Sequence, residues 1–186
     1  MGMNYYMACL DLTGRRCVVV GGGGVGFEKA AGLVGCGASV TVISPEFATG
    51  FGSLEVECVA RRYQDGDLDD AFLVIAATSD PEVNERVFRA AERLGKLCNV
   101  ADVPELCNFI LPAVHREGPI AVAVSTGGAS PALAKRLRSQ IAELVRPEHA
   151  ELAEELRAMR PEVKERFATY DERRDYFEDV VTERLA

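Results

Sequence analysis

The 186-residue sequence has only two histidines, no C-x-x-C pair and no His/Cys cluster at metal-ligand spacing. That spacing pattern excludes a preformed zinc site. The six cysteines, at 9, 17, 36, 58, 98 and 107, do not form a disulfide framework. Several sit inside apolar runs such as CVVV and KLCNVA, the setting of reduced, mostly buried thiols in a cytoplasmic protein. The opening MGMNYYMACLDL lacks a basic region followed by a long apolar core, so neither a secretory signal nor a membrane span is visible. Tyr6 stands where an N-myristoylation signal on Gly2 needs Ser or Thr. Positive charge is scarce: 21 Lys and Arg face 29 Asp and Glu, for a net charge of -8, which argues against a general nucleic-acid binder. There is no internal repeat and no low-complexity segment. What remains is 48% hydrophobic and 27% charged residues, enough for one ordinary domain with a real core and a smaller appendage.

Apolar runs and helical patterns alternate along the first half. CVVV (17–20), SVTVIS (39–44), AFLVIAAT (71–78) and LCNVAD (97–102) read as buried strands, and LEVECVARRY (54–63) as a strand at or near an edge. Helical spacing appears in 25–37, ended by Gly35 and Gly37, and in 79–95, where Asp80 is placed to cap and Pro81 to start. Strict alternation predicts an α/β fold, a parallel sheet with helices on both faces. After Pro104 the pattern changes. Residues 107–126 read as two extended segments turning at Gly118-Pro119, and 130–145 as a helix capped by Ser130 with Pro131 at its first position. Pro147 should stop that helix. Beyond 148 about half the residues are charged and glycine is absent. Leu152, Leu156, Met159, Val163, Phe167 and Tyr170 form one apolar helical stripe that needs a partner, and Pro161 within it predicts a kink or two helices.

Two motifs carry chemistry. Gly21, Gly23 and Gly26 fit G-x-G-x-x-G, directly after a strand and before a helix. The first glycine makes the tight turn, the second admits a pyrophosphate to the backbone, and the third packs helix on strand. The following helix start offers free N–H groups and a positive dipole end. The carboxylate expected at the end of the second strand is missing. Ser44 stands in that region, with Glu46 two residues on and no arginine to favour a 2′-phosphate, so NAD is mildly favoured over NADP. The second motif is AVSTGGASPALAKRLR. A strand leads into Ser125, Thr126, Gly127 and Gly128, then a capped helix with Lys135, Arg136 and Arg138 on it. Hydroxyls, backbone N–H groups and a helix start make it a second candidate anion site, suited to a substrate with several carboxylates, or else a helix cap with a solvated basic face. Between the motifs Asp102 ends a strand at the sheet edge where ligands sit, placed to act as a general base or simply to cap a turn before Pro104.

Five segments, LDLTGRRCVVVGGGGVGFEKA, VIAATSDPEVN, CNVAD, FILPA and VAVSTGGASPALAKRLR, occur in an order that resembles the precorrin-2 dehydrogenase/sirohydrochlorin ferrochelatase family, the dehydrogenase part of siroheme synthase. FATYDERRDYFEDVV near the end also resembles that family. The resemblance spans nearly the whole chain. It implies a Rossmann-type NAD-binding domain (1–106), a small α+β dimerisation and substrate region (107–146) and a C-terminal helical domain (147–186) in a homodimer. It implies NAD-dependent oxidation of precorrin-2 to sirohydrochlorin, in some members followed by insertion of Fe2+ or Co2+, and no membrane or nucleic-acid partner. Carried over by motif, the catalytic aspartate falls on Asp102. The cofactor loop falls on Gly21, Gly22, Gly23, Gly24 and Val25, with Ser44, Pro45 and Glu46 near the adenosine and Thr78 on the nicotinamide side. The substrate loop falls on Ser125, Thr126, Gly127 and Gly128. No resident metal ligand is expected; a metal substrate would pass through a transient carboxylate site at Asp102. Two positions depart from the family. Gly26 replaces the usual alanine, expected to cost helix stability and leave binding intact. His115 replaces an aliphatic residue and reads more readily as a turn residue than as a ligand. A different class, an NAD(H)-sensing regulatory module, shares the glycine loop and a segment like 76–84, but normally keeps the acid after the second strand and has no use for STGGASP behind an aspartate.

Overall fold

The computed structural model describes residues 5–185, so the Gly2 reading lies outside the described residues. The described chain forms two compact units, one ending at Leu111 and one beginning at Pro112. The first contains β1 (Arg16–Val20), α1 (Gly24–Val34), β2 (Ser39–Ser44), β3 (Val56–Ala60), β4 (Leu73–Ala76), α2 (Pro81–Arg93) and β5 (Leu97–Val100). All strand pairs are parallel, and the order is β3-β2-β1-β4-β5. This is the α/β parallel arrangement the alternation predicted and the Rossmann-type unit the resemblance implied. The order reverses at β1, which is flanked by β2 and β4, and the glycine loop follows that strand.

The β-branched runs become strands because both faces are buried. In β1, Cys17 and Val19 join one cluster with Ala30 and Leu33 of α1, while Val18 and Val20 join the other with Val87, Ala90 and Ala91 of α2. β4 splits the same way, Leu73 and Ile75 against Val74 and Ala76. Each buried Val, Leu or Ile among them contributes roughly 1.5–3 kcal/mol of burial. β3 is shorter than expected and forms the edge, with Cys58 exposed on it. The other edge, β5, is covered by the segment after it. Asn108 N–H donates to Cys98 O (3.0 Å), Cys98 N–H donates to Asn108 Oδ1 (2.7 Å), and Asn99 Nδ2 donates to Phe109 O (3.0 Å). This covering satisfies the backbone of an otherwise open edge. The thiols divide more evenly than the sequence suggested: Cys17 and Cys98 are buried, Cys9 and Cys58 are exposed, and Cys36 and Cys107 lie between. Burial pushes the thiol of Cys17 up to about 11 and that of Cys98 up to about 12.

The second unit contains β6 (Ala113–Glu117) and β7 (Ile120–Val124), paired as an antiparallel hairpin, then α3 (Pro131–Ala142), α4 (Pro147–Arg166) and α5 (Tyr170–Leu185). His115 is a strand residue opposite Val122, not part of the turn, and its Nε2 is buried without a hydrogen-bond partner. Pro147 is the first residue of α4, where proline is well tolerated, rather than simply a stop. Pro161 lies inside α4, and the break between helices comes at 167–169 instead. A capping box makes that break: Glu172 accepts from Thr169 N–H (3.0 Å) and Oγ1 (2.8 Å), and Glu172 N–H donates to Thr169 Oγ1 (3.3 Å). Arg173 donates to the carbonyls of Phe167 and Ala168, and Arg184 pairs with Glu155, so α4 and α5 form an antiparallel hairpin. Of the stripe, Leu152 and Val163 are buried, whereas Tyr170 is 71% exposed and stands outside it. A concavity of about 720 Å³ on this hairpin is walled by Arg160, Lys164, Tyr170, Arg173, Arg174 and Phe177 among others. Among the described residues no helix is long and apolar enough to cross a membrane.

The loop from β3 to β4 is held by Asp67, whose carboxylate accepts from Arg61 at 2.6 and 2.8 Å and from Gln64 N–H at 2.8 Å. The Arg61 hydrogen bonds hold its pKa below the ordinary value of 3.8. A depressed carboxylate stabilises the fold above its unfolded pKa and loses that contribution as pH falls through the lower folded value. Asp67→Asn should therefore cost about 1–2 kcal/mol at neutral pH. Urea unfolding across pH should show this difference shrinking below pH about 4; a pH-independent difference would contradict it.

Candidate active site

The carboxyl ends of β1, β2, β4 and β5 bring most of the expected site residues to one edge of the first unit. Gly21 has φ +125°, and a Cβ on it would overlap the carbonyl oxygen of Ala77, so only glycine fits. A Cβ on Gly26 would likewise overlap the carbonyl oxygen of Gly21. The departure from alanine at position 26 therefore meets a packing demand, as the motif's third glycine does, and is not merely a cost to the helix. Gly22 faces inward too, against Ser44 and the Glu46 carbonyl, and its own carbonyl accepts from Ala48 N–H at 2.7 Å. The loop carrying Ser44, Pro45 and Glu46 is thus tied to the glycine loop.

Gly23 and Gly24 are different: a Cβ on either would meet nothing within 4 Å. Gly23 is the N-cap of α1 and has no side chain to satisfy the helix's first N–H groups. Phe27 N–H donates to Gly23 O at 2.9 Å and closes the first turn. No acidic side chain stands in the first turn of α1. Crowding behind and open backbone donors in front make a cradle fitted to a pyrophosphate, and dinucleotide geometry fits these residues. Val25, 44% exposed, sits at the same opening.

Thr78 follows β4 and Asp102 follows β5. Asp102 has φ +61°, the one non-glycine residue with positive φ among the described residues, a conformation Asp tolerates better than most. It is exposed, and its carboxylate makes no hydrogen bond or ion pair within the described chain. Cys107 fastens the surrounding turn. Its Sγ lies 3.3 Å from Val100 N, Val100 O and Val103 O, and 3.4 Å from Asn99 Nδ2. In the sequence it stands out only as one of six reduced thiols, with no sign of this role.

Ser125, Thr126, Gly127 and Gly128 belong to the second unit, between β7 and α3. Their groups are largely occupied among themselves. Gly127 N–H donates to Ser125 Oγ (3.1 Å), Ala129 N–H to Thr126 O (3.0 Å) and Ser130 N–H to Thr126 Oγ1 (3.0 Å), and Ser130 Oγ caps α3 by accepting from Leu133 N–H (3.2 Å). Gly127 and Gly128 have φ +61° and +87°. Lys135 and Arg136 are exposed on α3. Among the described residues no three His, Cys, Asp or Glu side chains gather as a metal site.

A parallel sheet whose carboxyl edge carries a bare glycine turn and an uncapped helix start defines a dinucleotide-binding protein. Residues 8–113 match the family model described as putative NAD(P)-binding, 117–144 that of the sirohaem biosynthesis protein central region, and 148–186 that of the sirohaem synthase dimerisation region. The chain therefore belongs to the NAD(P)-binding sirohaem-biosynthesis family that these three models describe. It is 42% identical over 175 residues to the siroheme synthase of Methylobacillus flagellatus, covering 92% of this chain and 38% of that protein. It is 38% identical over 191 residues to that of Azotobacter vinelandii, covering 98% and 41%. The chain thus spans about two fifths of the length of these curated relatives. Among solved structures, SirC, precorrin-2 dehydrogenase, superposes with a TM-score of 0.80 at 25% identity, covering 98% of this chain and 93% of that one.

Gly21→Ala would force a strained φ and a clash with main chain. It should lower stability by about 2–4 kcal/mol and weaken NADH binding. Thermal unfolding and NADH fluorescence check this; unchanged melting with unchanged affinity would contradict it.

Proposed function

We propose that this protein oxidises precorrin-2 to sirohydrochlorin with NAD+. The observation that carries the reading is the carboxyl edge of the sheet, where a dinucleotide cradle and an unpartnered carboxylate, Asp102, share one unit of a chain of this family. The names of its relatives, siroheme synthase and precorrin-2 dehydrogenase, supply the reaction class. When bound, NAD+ supplies the hydride acceptor. Gly23, Gly24 and Val25 at the start of α1 hold the pyrophosphate through backbone N–H groups. Ser44, Pro45 and Glu46 flank the adenosine half. Asp102 takes the proton that leaves the macrocycle as the hydride departs, so precorrin-2 loses two hydrogens in all. Ser125, Thr126, Gly127 and Gly128, with the cations of α3, receive carboxylates of the tetrapyrrole. In the division of labour we propose, 1–106 binds cofactor, 107–146 serves substrate and dimerisation, and 147–186 completes a homodimer.

The test is an anaerobic assay with precorrin-2 and NAD+, following NADH and sirohydrochlorin together. Asp102→Asn keeps a residue that tolerates positive φ but removes the base. It should lower kcat about 100-fold or more with NADH affinity within about twofold. Full activity in that variant would sink the assignment of Asp102, and tight NADH binding without turnover in the parent would favour a sensor.

The same carboxylate is proposed to pass Fe2+ or Co2+, as substrate, into sirohydrochlorin. A single unpaired, exposed carboxylate binds such borderline divalent ions only weakly, which suits a transient contact. Insertion followed by absorbance should run faster with the parent than without enzyme, and Asp102→Asn should lose the gain; equal rates in all three would refute it.

A further inference from the structure

The turn from β4 into α2 is organised by one buried side chain, Asn84, 7% exposed on the first turns of α2. Its Oδ1 accepts from Thr78 N–H at 3.2 Å and lies 2.8 Å from Thr78 Oγ1, and its Nδ2 donates to Thr78 O at 3.0 Å. The network fixes which end of the amide is oxygen. The Thr78 hydroxyl also lies 3.0 Å from Asp80 O and accepts from Asp80 N–H at 3.1 Å. Asp80 Oδ1 in turn takes the N–H groups of Glu82 and Val83 at 3.0 and 3.3 Å. So the two helix starts of this unit are treated oppositely. The first N–H groups of α1 are left bare behind Gly23, while those of α2 are capped within the chain.

Directly against this turn sits the glycine loop. The Ala77 carbonyl and Thr78 nitrogen occupy the space where a Cβ on Gly21 would go. Moving the 77–78 peptide would move the loop's first glycine. The strand order adds direction. β2 and β4 flank β1 on opposite sides. With the pyrophosphate at the start of α1 and the adenosine half beside β2, the nicotinamide half runs toward β4.

We infer that Asn84 is a positioning residue for the nicotinamide half of the cofactor, acting through Thr78. It locks the peptide at the end of β4, so that Thr78 offers a fixed surface whose hydrogen-bonding groups are already engaged. The proposal rests on the reading that Thr78 stands on the nicotinamide side.

Calorimetry with NADH and with ADP, on folded protein verified by thermal melting, separates the possibilities. ADP reports the adenosine and pyrophosphate contacts alone. Asn84→Leu should raise the NADH Kd about tenfold and leave the ADP Kd within about twofold. Asn84→Asp, which sets a buried carboxylate oxygen against the Thr78 carbonyl, should raise the NADH Kd at least as far. Thr78→Val, which keeps both main-chain bonds, should raise the NADH Kd about threefold and serves if Asn84→Leu does not fold. Unchanged NADH affinity in these variants overturns the proposal, as does an equal loss of NADH and ADP, which would mark Asn84 as serving the fold alone. A parent that binds ADP but not NADH overturns the underlying reading of the β4 edge, and the proposal with it.

Discussion

The carbonyl oxygen of Gly21 fills the space a methyl on Gly26 would need, and the carbonyl oxygen of Ala77 fills the space a methyl on Gly21 would need. Helix α1, the glycine loop and the end of β4 therefore touch through bare main chain. The shape of the glycine loop follows from that close approach. It ties the loop to the Thr78 turn, while Gly23 and Gly24 stay clear, with nothing within 4 Å of a Cβ on either. The buried β-branched strands provide the rigidity the approach requires. Side chains on both faces of β1 and β4 are locked between α1 and α2, so the backbone at their ends has little room to give.

Much of this was legible because glycine, proline and β-branched runs act locally. CVVV followed by four glycines announced strand, turn and helix, and Asp80-Pro81 and Ser130-Pro131 announced helix starts that the structure reproduces with side-chain caps. What escaped depended on partners distant in sequence or on competition between local signals. Pro161 predicted a kink or two helices; α4 runs through it, and the second helix starts at the Thr169 and Glu172 capping box instead. The packing of the chain around Ser44 and Glu46 onto Gly22 could not be read from the loop itself. The roles of Asn84 and Cys107 rest on hydrogen bonds to turns several residues away, which no periodicity encodes. Asp102 was placed at its strand end from sequence, but its left-handed backbone was not foreseen.

The two candidate anion sites obey the same physics with different outcomes. At α1 the helix start is uncapped and its donors are available. At α3 the Ser130 hydroxyl caps the helix, and the hydroxyls of Ser125 and Thr126 accept from nearby backbone. A carboxylate reaching the second loop must therefore rely on the exposed cations of α3 or displace weak internal bonds, whereas a phosphate at the first meets donors with no competing partner. Under the proposed function, this difference suits a firmly held cofactor and a substrate that leaves once oxidised.

The central claim is that the dinucleotide is held by the backbone between β1 and α1. Amide hydrogen exchange, with and without saturating NADH, tests it most directly. The account predicts that protection on binding is concentrated in residues 21–27, with a smaller effect at 44–48 and 76–79. Protection confined to other segments, with residues 21–27 exchanging at the same rate in both states, would contradict it.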